Sequence, residues 1–425
     1  MSATLISTSA AIANYAEASG PPLFKHVRTW WLLFALFLLA DGGGLFITKG
    51  LHPSVSGELG QPASSLLIVT VVTWLTFLGL IATHIGPTLR MMLRQKAVLS
   101  FAVLAFLSAF WSQAPQATLR KATILFLYML VAWFFATYYT PRDQMRLLFA
   151  LGVIMGLASI AWVIFLPQYG LHGSGEWKGV FGQKNFLGST MFYLFAGLPF
   201  CRISSGRRLL TLALQAILPL GLILLSQSRT SLIMVGVLIG VRFLGPLINR
   251  TRREAIPFVL YWVGIAIAAI PVTLRLILPL LGRDLTFTGR TLTWAYAFPL
   301  ALKHLWLGYG YQGRIDASGN PAPINVAGIP IQTVDNGYLD ILLQFGLLGL
   351  GLLLVLLTVC MRDFLRLLRR SSVPLIAYWY VGLILATFVG SVTENMFWNP
   401  YRIIPFMLVL GFAGLQNLSH ENASP

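Results

Sequence analysis

The chain has few charged residues, and this shortage limits the class of protein it can be. Only 10% of its 425 residues are charged and 57% are hydrophobic, whereas a soluble domain carries about 25% charged residues. The mean hydropathy is +0.76. The composition therefore excludes an ordinary soluble enzyme and predicts an all-α polytopic membrane protein, because helices satisfy their own backbone hydrogen bonds in lipid.

Cysteine and histidine are also scarce. Cys201 and Cys360 lie at the ends of apolar segments, and neither has a CxxC partner or the spacing of a metal ligand set. The six histidines form no HExxH motif and no recognisable Ser-His-Asp set. We therefore expect no disulfide, no metal site and no cofactor.

Acidic residues are outnumbered, with 13 Asp and Glu against 30 Lys and Arg and a net charge of +17. The basic residues occur in short clusters between apolar stretches, as orientation in a bilayer requires. This distribution argues against nucleic acid as a partner. It also suits an acidic, lipid-linked substrate.

Long apolar runs dominate what is present. A helical span needs about 20 apolar residues, and about twelve stretches qualify, although some are short. They are 30–47, 64–83, 97–112, 122–140, 146–167, 186–200, 209–226, 231–248, 256–280, 337–360, 374–393 and 401–418. No clear internal repeat relates them, which argues against a transporter built from inverted halves.

The basic clusters predict the orientation of these spans. They occupy alternate short connections, for example Arg90, Arg94 and Lys96 in one and Arg142 and Arg146 in another. By the positive-inside rule these connections and both termini are cytoplasmic.

We accordingly predict three parts: a cytoplasmic segment 1–28, a single bundle 29–420, and a large periplasmic loop at about 281–336 between spans nine and ten. No signal-peptide cleavage site follows the first apolar run, so we interpret that run as a retained span.

This topology places five polar motifs at the outward face. They are GEWKGVFGQKN (175–185), SQSRTS (226–231), GRTLTW (289–294), TVDNGYLD (333–340) and TENMFWNP (393–400). We predict that they form one cavity. The Gly-rich GYGYQG (308–313) follows no predicted strand and precedes no lysine, so it is not interpreted as a nucleotide loop.

Three cations in these motifs are candidates for binding phosphate. The guanidinium groups of Arg229 and Arg290 suit bidentate contact with phosphate oxygens. Alternatively, Arg229 snorkels at a helix end and Arg290 contacts lipid headgroups. Lys184 follows a Gly-rich loop, where it grips phosphate or serves as an ordinary outer-loop cation.

Three carboxylates are candidates for proton transfer or sugar binding. Asp335 is a candidate general base, with a helix N-cap as the alternative role. Asp340 lies further into the span, where it faces the same cavity or pairs with an arginine. Glu394 lies at the outward end of the eleventh span, beside Trp398. Such a carboxylate and aromatic ring suit a sugar but also occur at membrane interfaces.

The remaining candidates for substrate binding are polar or aromatic neighbours of these groups. Asn185 follows Lys184, and Asn336 follows Asp335. Ser228 precedes Arg229 among hydroxyls that indicate a polar pocket or capped helix ends. Trp294 lies in an amphipathic segment (291–306) that we expect along the membrane surface, where tryptophan is enriched.

At these motifs the chain resembles the O-antigen ligase/polymerase superfamily (the WaaL/Wzy group), and within it the exopolysaccharide polymerases of the ExoQ type. The resembling pieces are GVFGQKNFLGS, SQSRTSLI, GRTLTWAYA with LWLGYGY, and DNGYLDILLQFGLLGL. They occur in the family's order over about 179–400. The family usually has a histidine before the Asn of its HN-x-(Y/F)-L motif, and this sequence has Asp335 there.

The resemblance implies about twelve transmembrane helices in the bacterial inner membrane and metal-independent glycosyl transfer from an undecaprenyl-diphosphate donor. By motif position, Arg229 and Arg290 would hold the diphosphate, and Asp335 could act as base. The product would be a growing polysaccharide, with a chain-length regulator or export complex as a possible partner besides membrane lipids. A ligase acting on lipid A core or protein, a flippase or other transporter, and a non-catalytic assembly subunit remain alternatives.

Overall fold

The computed structural model describes only part of the chain. The described residues are 29–33, 36, 64–173, 175–198, 217–250, 290–314, 324–326, 329–331, 334–369, 373–399 and 402–420. The predicted ninth span (256–280), the segment 1–28 and most of the first span lie outside these residues.

Helices dominate these ranges, as the apolar runs predict. They are α1 (Ser64–Ala82), α2 (Ile85–Arg94), α3 (Lys96–Leu107), α4 (Pro115–Tyr138), α5 (Pro141–Phe165), α6 (Lys184–Phe195), α7 (Leu218–Leu225), α8 (Arg229–Arg250), α9 (Arg290–Lys303), α10 (Gly337–Leu368), α11 (Leu375–Gly390) and α12 (Ile403–His420). A hairpin of two short antiparallel strands, β1 (Ile324–Val326) and β2 (Ile329–Ile331), is a small departure from the all-α prediction.

Within the described ranges, four helices are long and apolar enough to cross a membrane, namely α4, α5, α10 and α12. A fifth crossing exists if the bent pair Val71–Ala82 and Ile85–Arg94 is one span. The chain is therefore a multi-pass membrane protein. Twelve spans, and the position of the large loop, remain predictions.

The bend between α1 and α2 is 92°, which corrects the prediction of a simple loop at 84–96. Helix α2 has exposed apolar residues, including Leu89 and Leu93, beside Arg90 and Arg94. Such an amphipathic pattern suits a helix lying across the end of the bundle at a membrane interface.

Helix α4 begins at Pro115, seven residues before the predicted span. Proline is favoured at the first helical turn because its missing N–H needs no partner there. Arg120 and Lys121 therefore belong to the helix and not to the outward loop. This correction places two cations at the end of the bundle that carries the polar motifs.

The core is formed where α11 packs on α8 and α12, and where α12 packs on α4. Trp133, Trp379 and Tyr380 are fully buried there. At one end, the Tyr380 hydroxyl donates to Gln144 over 2.9 Å. The opposite end, which we call the polar end, is formed by residues 108–118, 175–185, 226–231, 308–314, 334–344 and 391–399.

Helix α10 is interrupted near the polar end. Gly346 has φ +62° and ψ −155°, which is a conformation essentially reserved for glycine. Residues 305–310 fill the break: the amides of Tyr309 and Gly310 donate to the carbonyls of Leu343 and Gln344 at 2.8 and 3.0 Å. The GYGYQG segment thus supplies the hydrogen bonds that a broken helix needs inside a membrane protein. The predicted tenth span is in fact a short half-helix, 337–345, followed by a longer helix.

Candidate catalytic site

All five predicted polar motifs meet at the polar end. The Thr230 and Thr393 hydroxyls lie 2.7 Å apart and join the start of α8 to the segment after α11. The Trp294 indole donates to the carbonyl of Val334 over 3.0 Å. The amide of Gly337 donates to the carbonyl of Ser391 over 2.7 Å. The turns and loops between helices are therefore tied into one polar surface.

Glu394 is at the centre of this surface. Its side chain is only 4% exposed, and its Oε1 accepts hydrogen bonds from Arg290 Nη2 and Asn185 Nδ2, each over 2.6 Å. One carboxylate thus connects the starts of α6 and α9 to the segment after α11. The sequence places these three residues 209 and 104 positions apart, so their convergence is a tertiary result.

The environment of Glu394 sets its charge state. Burial raises the pKa of this carboxyl, while Arg290 and Arg402 lower it and Asp335 raises it. The net direction is upward from the usual value of 4.5. A buried carboxylate next to an arginine at such a site is a functional candidate on physical grounds.

Asp335 lies on the other side of Arg290, with 3.7 Å between its Oδ2 and Arg290 Nε. Its side chain is 36% exposed, so it is open to a substrate hydroxyl. The alternative role of helix cap is wrong for Asp335, because Asn336 caps α10 by accepting from Leu339 N over 2.9 Å. Asn336 also donates to the carbonyl of Val392 over 3.1 Å.

Arg229 begins α8 with an exposed side chain. It makes no ion pair with any residue in the described part of the chain. Arg229 precedes Thr230 and Glu394 follows Thr393 in the sequence. The hydrogen bond between the Thr230 and Thr393 hydroxyls therefore lies next to both charged residues. Ser228, in contrast, is fully buried and hydrogen-bonded to Ser231 over 2.8 Å, so it packs the turn and does not face a substrate.

Lys184 and Trp294 border the surface. The Lys184 ammonium donates to Glu176 over 2.7 Å, and Glu176 is nearly buried. The charge of Lys184 is therefore already compensated within the protein. Trp294 is half-buried, with its indole bonded as described above, and its ring is fixed close to the start of α10.

Asp340 lies in the half-helix, directly behind the surface. Its carboxylate is hydrogen-bonded by the side chains of Gln344 and Asn395, and the positive charge of Arg314 acts on it electrostatically. Asn395 follows Glu394, and its carbonyl accepts from Arg402 Nη1 over 3.1 Å. Asp340 is thus held by two side-chain amides.

Sequence reasoning missed two arginines, Arg402 and Arg314. Arg402 is buried, and its guanidinium lies 3.5 Å from the centre of the Phe186 ring, which is a cation–π contact. Its position two residues after the TENMFWNP motif was the available signal. Arg314 is the residue directly after GYGYQG, but that motif gave no reason to expect a cation at the site.

Backbone strain is concentrated at this end. Three non-glycine residues in the described ranges have positive φ: Gln227 (51°), Gln312 (49°) and Asp335 (47°). Each sits in a loop of the polar end. Such conformations cost about 1–3 kcal/mol each and tend to persist at functional sites.

No group of three or more His, Cys, Asp or Glu side chains that could hold a metal ion occurs among the described residues.

Comparison with known proteins agrees with the motifs. Residues 214–354 match the model of the family described as O-Antigen ligase (Wzy_C). The chain is 27% identical over 330 residues to the exopolysaccharide production protein ExoQ of Rhizobium meliloti (strain 1021), covering 73% of this chain and 74% of that relative. No solved structure matches the chain. The resemblance predicted from the sequence is confirmed, and Arg229, Arg290 and Asp335 all fall within the matched residues.

Proposed function

We propose that the protein is a membrane glycosyltransferase that polymerises oligosaccharide repeat units linked to undecaprenyl diphosphate. The observation that carries the proposal is the contact set around Glu394, which fixes Arg290 between the carboxylates of Glu394 and Asp335, at the end of the bundle where exposed Arg229 begins α8. The match to the O-antigen ligase family and to an exopolysaccharide production protein supports a glycan-transferring enzyme.

Arg229 and Arg290 bind the diphosphate of the donor. A guanidinium donates two parallel hydrogen bonds to phosphate oxygens, and its positive charge stabilises the charge that develops on the leaving group. Glu394, which also accepts a hydrogen bond from Asn185, holds Arg290 in place, so the orientation of Arg290 is set before substrate arrives. We propose that this transfer is metal-independent because the two arginines supply the positive charge.

Asp335 acts as the general base. It accepts the proton of an acceptor sugar hydroxyl, whose oxygen then forms a bond to the anomeric carbon of the donor. The bond from that carbon to the diphosphate oxygen breaks, and its electron pair leaves with the polyprenyl diphosphate. Direct displacement inverts the anomeric centre. Asp335 fits this role because its side chain is partly exposed and lies 3.7 Å from the Arg290 guanidinium that would hold the donor.

The polar end faces the periplasm of a bacterial inner membrane in this proposal. Arg90, Arg94, Arg142 and Arg146 lie near the end of the bundle opposite the site, and by the positive-inside rule this supports a periplasmic site. Twelve spans with both termini cytoplasmic complete the proposed topology. The half-buried Trp294 and the loop residues of the polar end would contact the sugar chain.

A ligase that transfers a finished glycan to lipid A core or protein is the second candidate, since the matching family model is named for O-antigen ligase. Both candidates use the same donor and the same arginines. They differ in the acceptor and therefore in the product.

Expression of variants in a strain lacking the gene tests the proposal. Arg290→Ala and Asp335→Asn should each abolish polymer, or reduce it more than tenfold, and should cause single lipid-linked repeats to accumulate. Arg90→Ala, at the opposite end of the bundle, is the matched control and should leave polymer normal. Membrane levels are measured by immunoblot. Normal polymer length and yield in both site variants would refute the site, whereas loss of attached glycan with normal polymer would favour the ligase.

A further inference from the structure

Helix α10 carries a groove at its far end, away from the polar end, that the proposed mechanism does not use. The groove has a volume of about 620 Å³, which is within the range of ligand sites in proteins, roughly 300–1,000 Å³. Its lining within the described residues comes from the last turns of α10 and includes Leu357, Met361, Arg362, Leu365, Arg366 and Arg369. The groove therefore combines basic and apolar side chains.

The three arginines form a basic stripe along the helix. Arg362, Arg366 and Arg369 are spaced by four and three residues, which puts successive side chains one turn apart on the same helix face. All three residues are exposed, and the side chains of Arg362 and Arg366 are 47% and 45% exposed. Three guanidinium groups thus occupy one side of the helix over about 10 Å.

A single buried acid orients two of these arginines. The Asp363 side chain is 3% exposed, and its Oδ1 accepts hydrogen bonds from Arg362 Nε and Arg366 Nη1 over 3.0 and 3.2 Å. A guanidinium has five N–H donors, so both arginines keep donors for a second anion. Arg369 makes no ion pair with any residue that the structure describes. The stripe thus presents three positive charges outward against one negative charge on its inner side.

An apolar stripe runs beside the basic one. Leu357, Met361 and Leu365 recur every four residues along the groove, and each is only partly buried. Leu357 and Arg369 follow Gly346 by 11 and 23 residues, which is about 17 and 35 Å along a helix. Because Gly346 lies near the polar end and the hydrocarbon core is about 30 Å thick, the groove begins within that core and ends at the opposite interface.

We propose that this groove binds an anionic phospholipid of the cytoplasmic leaflet. The arginines hold the headgroup phosphate, and an acyl chain lies along the apolar stripe. Basic clusters at the cytoplasmic end of a span attract the anionic headgroups of that leaflet. A soluble anion would not need the apolar stripe, and an acidic protein segment would not extend into hydrocarbon. The inference rests on the proposed topology, in which this end is cytoplasmic, and is independent of the proposed chemistry.

Native mass spectrometry of the full-length protein in detergent, titrated with phosphatidylglycerol or phosphatidylcholine of the same acyl chains, tests the site. Both lipids have the phosphate, so their difference reports the net charge of the headgroup. Each arginine near a membrane surface contributes about fivefold in affinity. The tightest site of the wild type should therefore prefer phosphatidylglycerol about 25-fold, for two uncompensated positive charges.

Two variants and one control locate the lipid. Arg369→Gln should lower the preference to about fivefold. The double variant Arg366→Gln/Arg369→Gln should bind the two lipids equally, because its remaining charges, Arg362 and Asp363, compensate each other. Arg146→Gln removes an arginine whose side chain is 66% exposed, near the same end of the bundle, and should bind as the wild type does.

Three results would overturn the proposal. Equal binding of both lipids by the wild type would leave an acidic protein segment as the better occupant. A preference that persists in the double variant would place the lipid elsewhere. Displacement of the lipid by an equal concentration of glycerol phosphate would favour a soluble anion. If the double variant does not fold, as judged by gel filtration, Arg369→Gln supplies the comparison, because it breaks no ion pair in the described part of the chain.

Thermal unfolding provides a second readout of the same site. A ligand that binds only the folded state raises its stability by mass action. Phosphatidylglycerol should therefore raise the melting temperature of the wild type and of Arg146→Gln more than phosphatidylcholine does. The double variant should show the same melting temperature in both lipids. An equal response of all three proteins to phosphatidylglycerol would indicate a general effect of the lipid and would overturn the site.

Discussion

Replacing Glu394 with glutamine should uncouple Arg290 from the rest of the site. The substitution keeps the shape of the side chain and removes its charge. Arg290 would then keep only Asp335, whose carboxylate is 3.7 Å away and 36% exposed, while the 2.6 Å contact inside the protein is weakened. The same change weakens the contact with Asn185, so the starts of α6 and α9 both lose support.

The magnitude follows from burial. Breaking a fully buried ion pair by removing one partner costs about 3–5 kcal/mol. The Arg290 side chain is 18% exposed and Glu394 is 4% exposed, and glutamine can still accept one hydrogen bond. We therefore expect the free energy of unfolding to fall by about 2 kcal/mol, after allowing for this partial screening.

A double-mutant cycle with Arg290→Gln isolates the pair. The free energy of unfolding is measured in mixed micelles for both single variants and the double variant, and we expect a coupling energy of about 1–2 kcal/mol. The exposed pair Arg146 and Asp143, whose side chains are 66% and 26% exposed, is the control and should couple by less than about 0.5 kcal/mol. Additive effects of Glu394→Gln and Arg290→Gln would refute the conclusion that Glu394 positions the arginine.

Three further tests address the helix break, the cap and the charge of Glu394. Gly346→Ala should lower the free energy of unfolding by about 3 kcal/mol or more, because a Cβ would lie 2.3 Å from the Trp306 backbone at a φ reserved for glycine. Gly351→Ala, where a Cβ on the same helix would meet open space, is the control and should leave the free energy of unfolding unchanged or slightly raised. Asn336→Ala should lower the free energy of unfolding by about 1 kcal/mol, because the helix loses its cap. A larger decrease in Asp335→Ala than in Asn336→Ala would contradict the assignment of Asn336 as the cap. Because the pKa of Glu394 is raised, this carboxylate becomes protonated at a higher pH than an exposed glutamate does. Its protonation releases Arg290. As the pH is lowered, the activity of the wild type should therefore begin to fall at a higher pH than the titration of an exposed glutamate would give. The activity of Glu394→Gln should be low and independent of pH over the same range. A wild-type activity that falls only in the pH range of an exposed glutamate would contradict the assignment.

Some of the site was accessible from the sequence because single residues carried strong signals. An arginine between two apolar helices is costly without a purpose, and this marked Arg229. A carboxylate beside Asn and Gly before an apolar run marked Asp335 as a base or a cap. The structure excludes the cap role for Asp335, since its backbone has positive φ and the extended Asn336 occupies the capping position; the role of base stays a prediction. Two adjacent polar residues cannot be distinguished as cap and base without backbone dihedrals.

Other residues lacked such signals. Arg402 and Lys121 were not distinguished because their burial depends on helices far away in the sequence. The break at Gly346 was hidden within an uninterrupted apolar run, where hydropathy predicts a continuous span. A glycine in such a run is ordinary, and only the contact with residues 305–310 shows why this one cannot be replaced.

Composition and hydropathy determined by themselves that the chain is a helical membrane protein, because transfer of apolar residues to lipid depends on local sequence. The periodic placement of basic clusters likewise determined which polar motifs share a face. Only the tertiary structure decided that Glu394 holds Arg290 and Asn185, that Lys121 is buried beside Gln312, and that α10 is broken. Those results depend on distances between residues that are far apart in the sequence, 104 to 209 positions for the first two, and such distances are set by how the helices and loops pack.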